Sequence, residues 1–182
     1  MNILICYATT EGQTRKIAQA VSETLIKDRH HTSLVDAGII DDLDIGLYDA
    51  VIMAGSIHIR RFQPALVHWI TTCLAALKKV PTAFISVSLT AASDDPEDQE
   101  DAEICVKQLM DETGWTPDLV HHAAGAFRYT QYDFFKRWAM RFIAMQKGAP
   151  TDTSQDYELT DWDALERFAG EFVEQAERMK AA

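Results

Sequence analysis

Ile3-Leu4-Ile5-Cys6-Tyr7-Ala8-Thr9-Thr10-Glu11-Gly12-Gln13-Thr14 passes from an apolar run into a turn rich in hydroxyls. Ile3 to Tyr7 reads as a buried strand, and from Gly12 to about Lys27 the residues Ile17, Ala18, Val21, Leu25 and Ile26 recur at helical spacing. A turn so placed sits on a helix N-terminus, where unpaired backbone N–H groups and the positive end of the dipole favour an anion. Thr9, Thr10 and Thr14 add hydroxyl donors, so the loop can hold a phosphate without a lysine. The residues therefore point to a bound mononucleotide, against the plainer reading of a strand-to-helix turn capped by threonine. Two other phosphate loops are excluded by inspection, since G-x-x-x-x-G-K-[ST] needs two glycines and a lysine and G-x-G-x-x-G needs three glycines. Here only Gly12 is present.

Working outward, strand-like runs recur at Ser33 to Asp36, Ala50 to Ala54, Ala83 to Val87 and Leu119 to Ala124. Helical patterns run from Pro64 to Lys78, Pro96 to Glu112 and Asp161 to Lys180. Short apolar strands alternating with helices imply a doubly wound α/β domain with a parallel sheet covered on both faces. In such folds a ligand sits outside the carboxyl ends of the strands, near the point where strand order reverses. The loops to compare are Ala8 to Thr14, Gly55 to Phe62, Ser86 to Ala92 and Gly125 to Thr130. Gly55-Ser56 leaves room for close backbone approach, and Ser86-Val87-Ser88-Leu89-Thr90 alternates hydroxyl and apolar contacts. The first three loops can converge on one ligand.

The 182 residues, 47% of them hydrophobic, are expected to form a single domain over residues 1–182. Cys6, Cys73 and Cys105 are odd in number and lack ligand spacing, which suggests neither a disulfide framework nor a zinc site. Cys6 and Cys105 are expected to be core thiols. His121-His122 is no better as a metal site, because adjacent strand residues face opposite ways. Without a basic segment leading into a long apolar stretch, a signal peptide and a spanning helix are not expected, and a cytoplasmic location is. A formal net charge of −11 argues against a nucleic-acid partner. The acidic run from Ser93 to Glu103 reads as a solvated loop and first helical turns, with Pro96 suited to the first helical position.

Ile5 through Ala18 resembles the flavodoxin signature, with an aromatic at Tyr7, hydroxyls at Thr9 and Thr14, and Gly12 between them; Cys6 departs from the usual larger apolar residue. Further blocks resemble one branch of that superfamily, the menaquinone-dependent protoporphyrinogen oxidases of bacterial haem synthesis. These are Gly55 to Arg60, Phe84 to Leu89, Gly114 to Asp118, Ala124 to Tyr129, Thr151 to Thr153 and Thr160 to Trp162. The resemblance implies a flavodoxin-like five-stranded sheet in the order 2-1-3-4-5, with a long insertion in the fifth strand. It also implies FMN, its phosphate at Thr9, Thr10, Glu11, Gly12, Gln13 and Thr14 and its ring between Ser56, Ile57 and His58 on one loop and Ser86, Val87, Ser88, Leu89 and Thr90 on the other. Glu11 is awkward beside a phosphate dianion, so its backbone N–H is expected to serve while its side chain turns outward.

The implied reaction oxidises protoporphyrinogen IX to protoporphyrin IX and passes electrons to a membrane quinone, menaquinone or ubiquinone. Hydride transfer needs close, oriented approach to the flavin, and the flavin carries the chemistry. His58, Arg60 and Arg61 are the side chains expected near the ring, and the arginines can pair with the propionates of a porphyrinogen. Electron-carrier flavodoxins stack aromatics on both flavin faces. Leu89 stands where one would be expected and leaves a face open to a flat substrate. The alternatives are an electron carrier of the flavodoxin type, whose acidic surface would suit basic partners, and a flavin-dependent NAD(P)H:quinone reductase.

An insertion of about residues 130–155 is expected, after which the fifth strand resumes near Asp156 to Leu159. Within it Phe134, Phe135, Trp138, Phe142, Ile143 and Met145 interleave with Lys136, Arg137 and Arg141 as a basic, aromatic helix near 134–147. Such a helix suits core packing or anionic lipid headgroups. The second reading places the protein peripherally on the inner face of the cell membrane.

Overall fold

The structure is a computed structural model that describes residues 1–40, 43–93, 95–127 and 157–181. Five strands, β1 (Asn2–Ala8), β2 (His31–Asp36), β3 (Ala50–Ser56), β4 (Thr82–Ser88) and β5 (Leu119–Ala124), form a sheet in the order β2-β1-β3-β4-β5. Every pairing is parallel, with β1 central between β2 and β3. This is the expected order. Strand order reverses beside β1, so the loops leaving β1 and β3 flank the crevice where a ligand belongs.

The helices are α1 (Gln13–Lys27), α2 (Pro64–Leu77), α3 (Pro96–Thr113) and α4 (Trp162–Ala181). One core face gathers Ile3, Ile5 and Ile52 of the sheet with Ile17 and Val21 of α1 and Phe168 and Phe172 of α4. The other gathers Leu4, Met53 and Phe84 with Leu66 and Trp69 of α2 and Val106 and Leu109 of α3. Alternate residues of each central strand therefore supply opposite layers, which is why these strands read as continuous apolar runs. Pro64 and Pro96 each open their helix, and Asp95 caps α3 by accepting from Glu97 N. The acidic run is thus a capped helix start. Gly114 closes α3 at φ 68, and the next residue, Trp115, is fully buried.

Trp115 donates from Nε1 to Thr82 Oγ1 at 3.3 Å and meets Phe84 edge-on at 5.8 Å. Phe84 in turn meets Phe62 at 5.1 Å, so an aromatic chain runs from the far side of the core to the loop after β3. The Gly114 to Asp118 block is therefore structural. Asp118 belongs to the same joint, accepting from Thr82 N at 2.7 Å.

Past β5, β6 (Ala126–Phe127) pairs antiparallel with β7 (Tyr157–Glu158) as a separate two-stranded ribbon. The strand expected to resume near Asp156 to Leu159 returns at the right place in sequence, but it pairs with β6 and does not extend the parallel sheet. The insertion at about 130–155 and its basic, aromatic helix near 134–147 lie outside the described residues. Among those described, no helix is long and apolar enough to cross a membrane.

Candidate functional site

β1, β3 and β4 lie side by side and parallel, so the loops at their C-terminal ends share one edge of the sheet. In the first loop Gly12 takes φ 87 and stands at the N-cap of α1, which has no side-chain cap. A Cβ added there would meet nothing within 4 Å, so the left-handed conformation, not crowding, calls for glycine. Thr9 Oγ1 accepts from Gly12 N at 2.9 Å and tightens the turn. Thr14 is fully buried, and its Oγ1 has no hydrogen-bond partner among the described residues. A hydroxyl buried unpaired costs about 1–3 kcal/mol, which an arriving acceptor would recover. Thr9 closes the turn, but no side chain caps α1 itself, so the plain capped helix start is not what this loop forms. An uncapped helix start, a turn opened by glycine and an unspent hydroxyl fit a phosphate.

Side chains around the loop are already committed. Gln13 turns away from the loop, its Nε2 donating to Glu158 Oε1 and Thr160 Oγ1, each at 3.0 Å. Only its backbone N–H remains for a ligand. Lys16, one turn into α1, donates to Glu158 Oε2 at 2.5 Å and lies 5.3 Å from the Trp162 ring. The nearest lysine is thus engaged with β7 and α4, in keeping with a phosphate site built without one. Glu11 is half-buried in the turn.

The second loop carries a hairpin. His58 and Arg61 exchange both backbone bonds, at 2.8 and 3.0 Å, around a two-residue tip in which Ile59 and Arg60 have φ of 48 and 61. Positive φ at both tip residues is the type I′ pattern, normally filled by asparagine and glycine. Here a β-branched residue occupies it, and Ile59 is 98% exposed. Arg60 is tied back to α3, its two guanidinium nitrogens meeting the Asp101 carboxylate at 2.9 and 2.8 Å. Of the sequence-predicted pair of arginines, Arg60 is therefore engaged. Arg61 has no ion-pair partner among the described residues.

Gln63 joins the first two loops. Its Nε2 donates to Ser56 Oγ and, at 3.2 Å, to Thr10 Oγ1, while its Oε1 accepts from Ser56 N at 3.3 Å. Sequence reading passed over this residue, whose one signal is its place just before Pro64 at the start of α2. Gly55 is required by crowding, since a Cβ would stand 2.5 Å from Leu66 and 3.1 Å from Phe62. In the third loop Ser88 Oγ and Thr90 Oγ1 bond at 2.9 Å, and Ser88 Oγ also accepts from Ala91 N. Leu89 is half-buried above Gly125, and Ile57 N donates to Val87 O at 2.8 Å, joining the second loop to the third. The structure thus brings together Thr9 to Thr14, Ser56 to His58 and Val87 to Thr90.

Ser86 is set back within β4. It shares a face with Phe84 and is in register with His122 of β5, and both Ser86 Oγ and His122 Nδ1 are buried without partners among the described residues. His121 faces the opposite layer, stacked on Phe168 at 5.1 Å. The two histidines do diverge, and no cluster of metal-ligating groups occurs among the described residues. Burial lowers the pKa of both histidines and raises those of the three cysteines, so no cysteine offers a ready thiolate.

Comparison with known proteins adds four findings. The flavodoxin domain family matches residues 4–154. A Leishmania major protein named protoporphyrinogen IX dehydrogenase (quinone) is 30% identical over 171 residues, covering 93% of this chain and 74% of its own. An Escherichia coli K12 protein of the same name is 29% identical over 173 residues, covering 95% of each chain. Among solved structures, a short-chain flavodoxin associated with a bacterial microcompartment superposes with a TM-score of 0.59 at 13% identity, over 97% of this chain and 99% of that one.

Proposed function

The chain belongs to the flavodoxin domain family, and from that premise we propose that it is an FMN-dependent dehydrogenase of protoporphyrinogen IX that delivers electrons to a membrane quinone. One observation carries the cofactor part: the start of α1 has no side-chain cap, and the buried hydroxyl of Thr14 beside it has no hydrogen-bond partner among the described residues. The names of the two relatives, which match over nearly the whole chain, supply the substrate and the acceptor.

Thr9 to Thr14 would hold the phosphate through backbone N–H groups and the Thr14 hydroxyl, and Ser56 to His58 and Val87 to Thr90 would border the ring. Bound FMN would supply the hydride acceptor and the route for electrons to the quinone. The protein positions and shields. Gln63, bonded to both Thr10 and Ser56, would set the gap between phosphate loop and ring loop, and Leu89, an aliphatic, would leave one ring face open to a flat macrocycle. No side chain is required to act as an acid or base for this chemistry. Membrane approach through the segment near 134–147 and a place on the inner face of the cell membrane complete the reading, since the quinone resides in lipid.

The test is anaerobic mixing of FMN-loaded protein with protoporphyrinogen IX and a menaquinone analogue, following porphyrin fluorescence. Quinone should raise porphyrin formation well above the protein-free blank. No increase, together with a strongly stabilised flavin semiquinone in potentiometry, would favour an electron carrier. Flotation with anionic vesicles, comparing wild type with Trp138→Ala/Phe142→Ala, tests membrane contact; equal flotation of both removes that segment from the account.

A further inference from the structure

Arg60 and Arg61 are adjacent in sequence but have different surroundings. Arg60 is spent on Asp101 in a bidentate pair, which fastens the hairpin tip to α3. Arg61 has no ion-pair partner among the described residues, and it lines a groove of about 400 Å³ between α2 and α3. Phe62, Val67 and Leu109 give that groove apolar lining, and His68 of α2 and Glu112 of α3 add polar groups to it. Small-molecule sites share this composition, an apolar bed with a few polar groups that fix orientation.

The hairpin presenting Arg61 is held in a costly shape. Left-handed backbone costs about 1–2 kcal/mol at a non-glycine residue, and Ile59 gains no packing in return because its side chain lies in solvent. The half-exposed Arg60–Asp101 pair offsets little of this. Strain kept at a loop beside a site commonly accompanies a presented group, and across the His58–Arg61 pair both side chains emerge on the same face of the ribbon.

We propose that Arg61 is the anchoring point for a carboxylate of the substrate, and that the groove between α2 and α3 takes the apolar arm that carries it. This rests on the substrate class proposed above. The hairpin wall is common to the ring loop, Ser56 to Phe62, and to the groove, so a flat macrocycle seated at the ring can lay one acidic side chain across the hairpin. Glu112, which also lines the groove, disfavours a second carboxylate there, which makes the groove a receiver of a single acidic arm. Arg60 serves as the tether, and Arg61 as the recognition group.

FMN-loaded protein would be titrated with protoporphyrin IX and with its dimethyl ester, following fluorescence. Wild type should prefer the diacid by about tenfold or more, the usual worth of a charge-assisted pair. Arg61→Gln should bring the acid-to-ester ratio close to one, and Arg61→Lys should restore part of it. Arg60→Gln combined with Asp101→Asn, which removes the tether without leaving a lone carboxylate, should keep the ratio. In turnover, Arg61→Gln should raise KM for protoporphyrinogen with little change in kcat. Diacid binding unchanged in Arg61→Gln, or a ratio lost in the tether variant alone, would overturn the assignment while wild-type turnover still supports the proposed reaction. Absence of quinone-linked turnover in wild type would instead remove the reaction, and with it this subsite.

Discussion

The loops after β1 and β3 border the same crevice and are built in opposite ways. In the phosphate loop positive φ falls on Gly12, which tolerates it, and Thr14 keeps an unspent hydroxyl. In the hairpin positive φ falls on Ile59 and Arg60, and nearby polar groups are consumed, Ser56 by Gln63 and Arg60 by Asp101. The first loop is a relaxed frame with open hydrogen-bonding capacity. The second is a strained frame with satisfied bonds and one cation left over. A cradle that meets a small constant anion needs available donors, whereas a wall that orients a larger molecule needs rigidity.

The comparison is broken most severely by removing what the hairpin stands on. Phe84→Ala deletes the middle of the Phe62–Phe84–Trp115 chain and should cost about 3–5 kcal/mol in urea unfolding. A cost near that of a surface change would mean that the hairpin does not depend on the core. Next comes Gly55→Val, whose Cβ would press on Leu66 and Phe62. It should cost about 1–3 kcal/mol by the same measurement.

Smaller, and more telling, is a pair with opposite signs. Gly12→Ala should destabilise by about 1–2 kcal/mol, because it puts a Cβ on left-handed backbone. Ile59→Gly should stabilise by about 0.5–1 kcal/mol, since relief of strain exceeds the added freedom of the unfolded chain and no packing is lost. Thermal melts of the two variants should shift in opposite directions, and equal signs would erase the contrast between the loops.

Acid gives the smallest effect and places it outside both loops. His121 and His122 have pKa values lowered from 6.5, chiefly by burial. The unfolded chain therefore binds protons that the folded chain resists, so stability is complete above about pH 6.5 and falls as pH drops below it. His121→Gln should flatten that fall in urea midpoints measured from pH 7.5 to 5. An unchanged slope would move the acid sensitivity elsewhere.

Much of this architecture is legible in the sequence, for physical reasons. β1, β3 and β4 are buried on both faces, so their apolar runs announce them, and Pro64 and Pro96 mark helix starts that the structure reproduces. β2 begins earlier than expected because His31 and Thr32 pair with Asn2 and Ile3 at the sheet edge, where polar residues are tolerated. The glycine-bearing phosphate loop could be read because glycine reports its own conformation. The hairpin could not, since Ile59-Arg60 carries none of the residues that signal a tight turn. The Arg60–Asp101 tether and the Gln63 bridge join residues far apart in sequence, a relation that spacing does not carry. The pairing of β7 with β6 was hidden for the same reason.

The phosphate loop is tested most directly by titrating apoprotein with FMN and with riboflavin under flavin fluorescence, in wild type and Thr14→Val. Wild type should bind FMN about a hundredfold more tightly than riboflavin, and Thr14→Val should cut that preference about tenfold while leaving riboflavin affinity unchanged. Equal affinities of wild type for FMN and riboflavin would contradict the account.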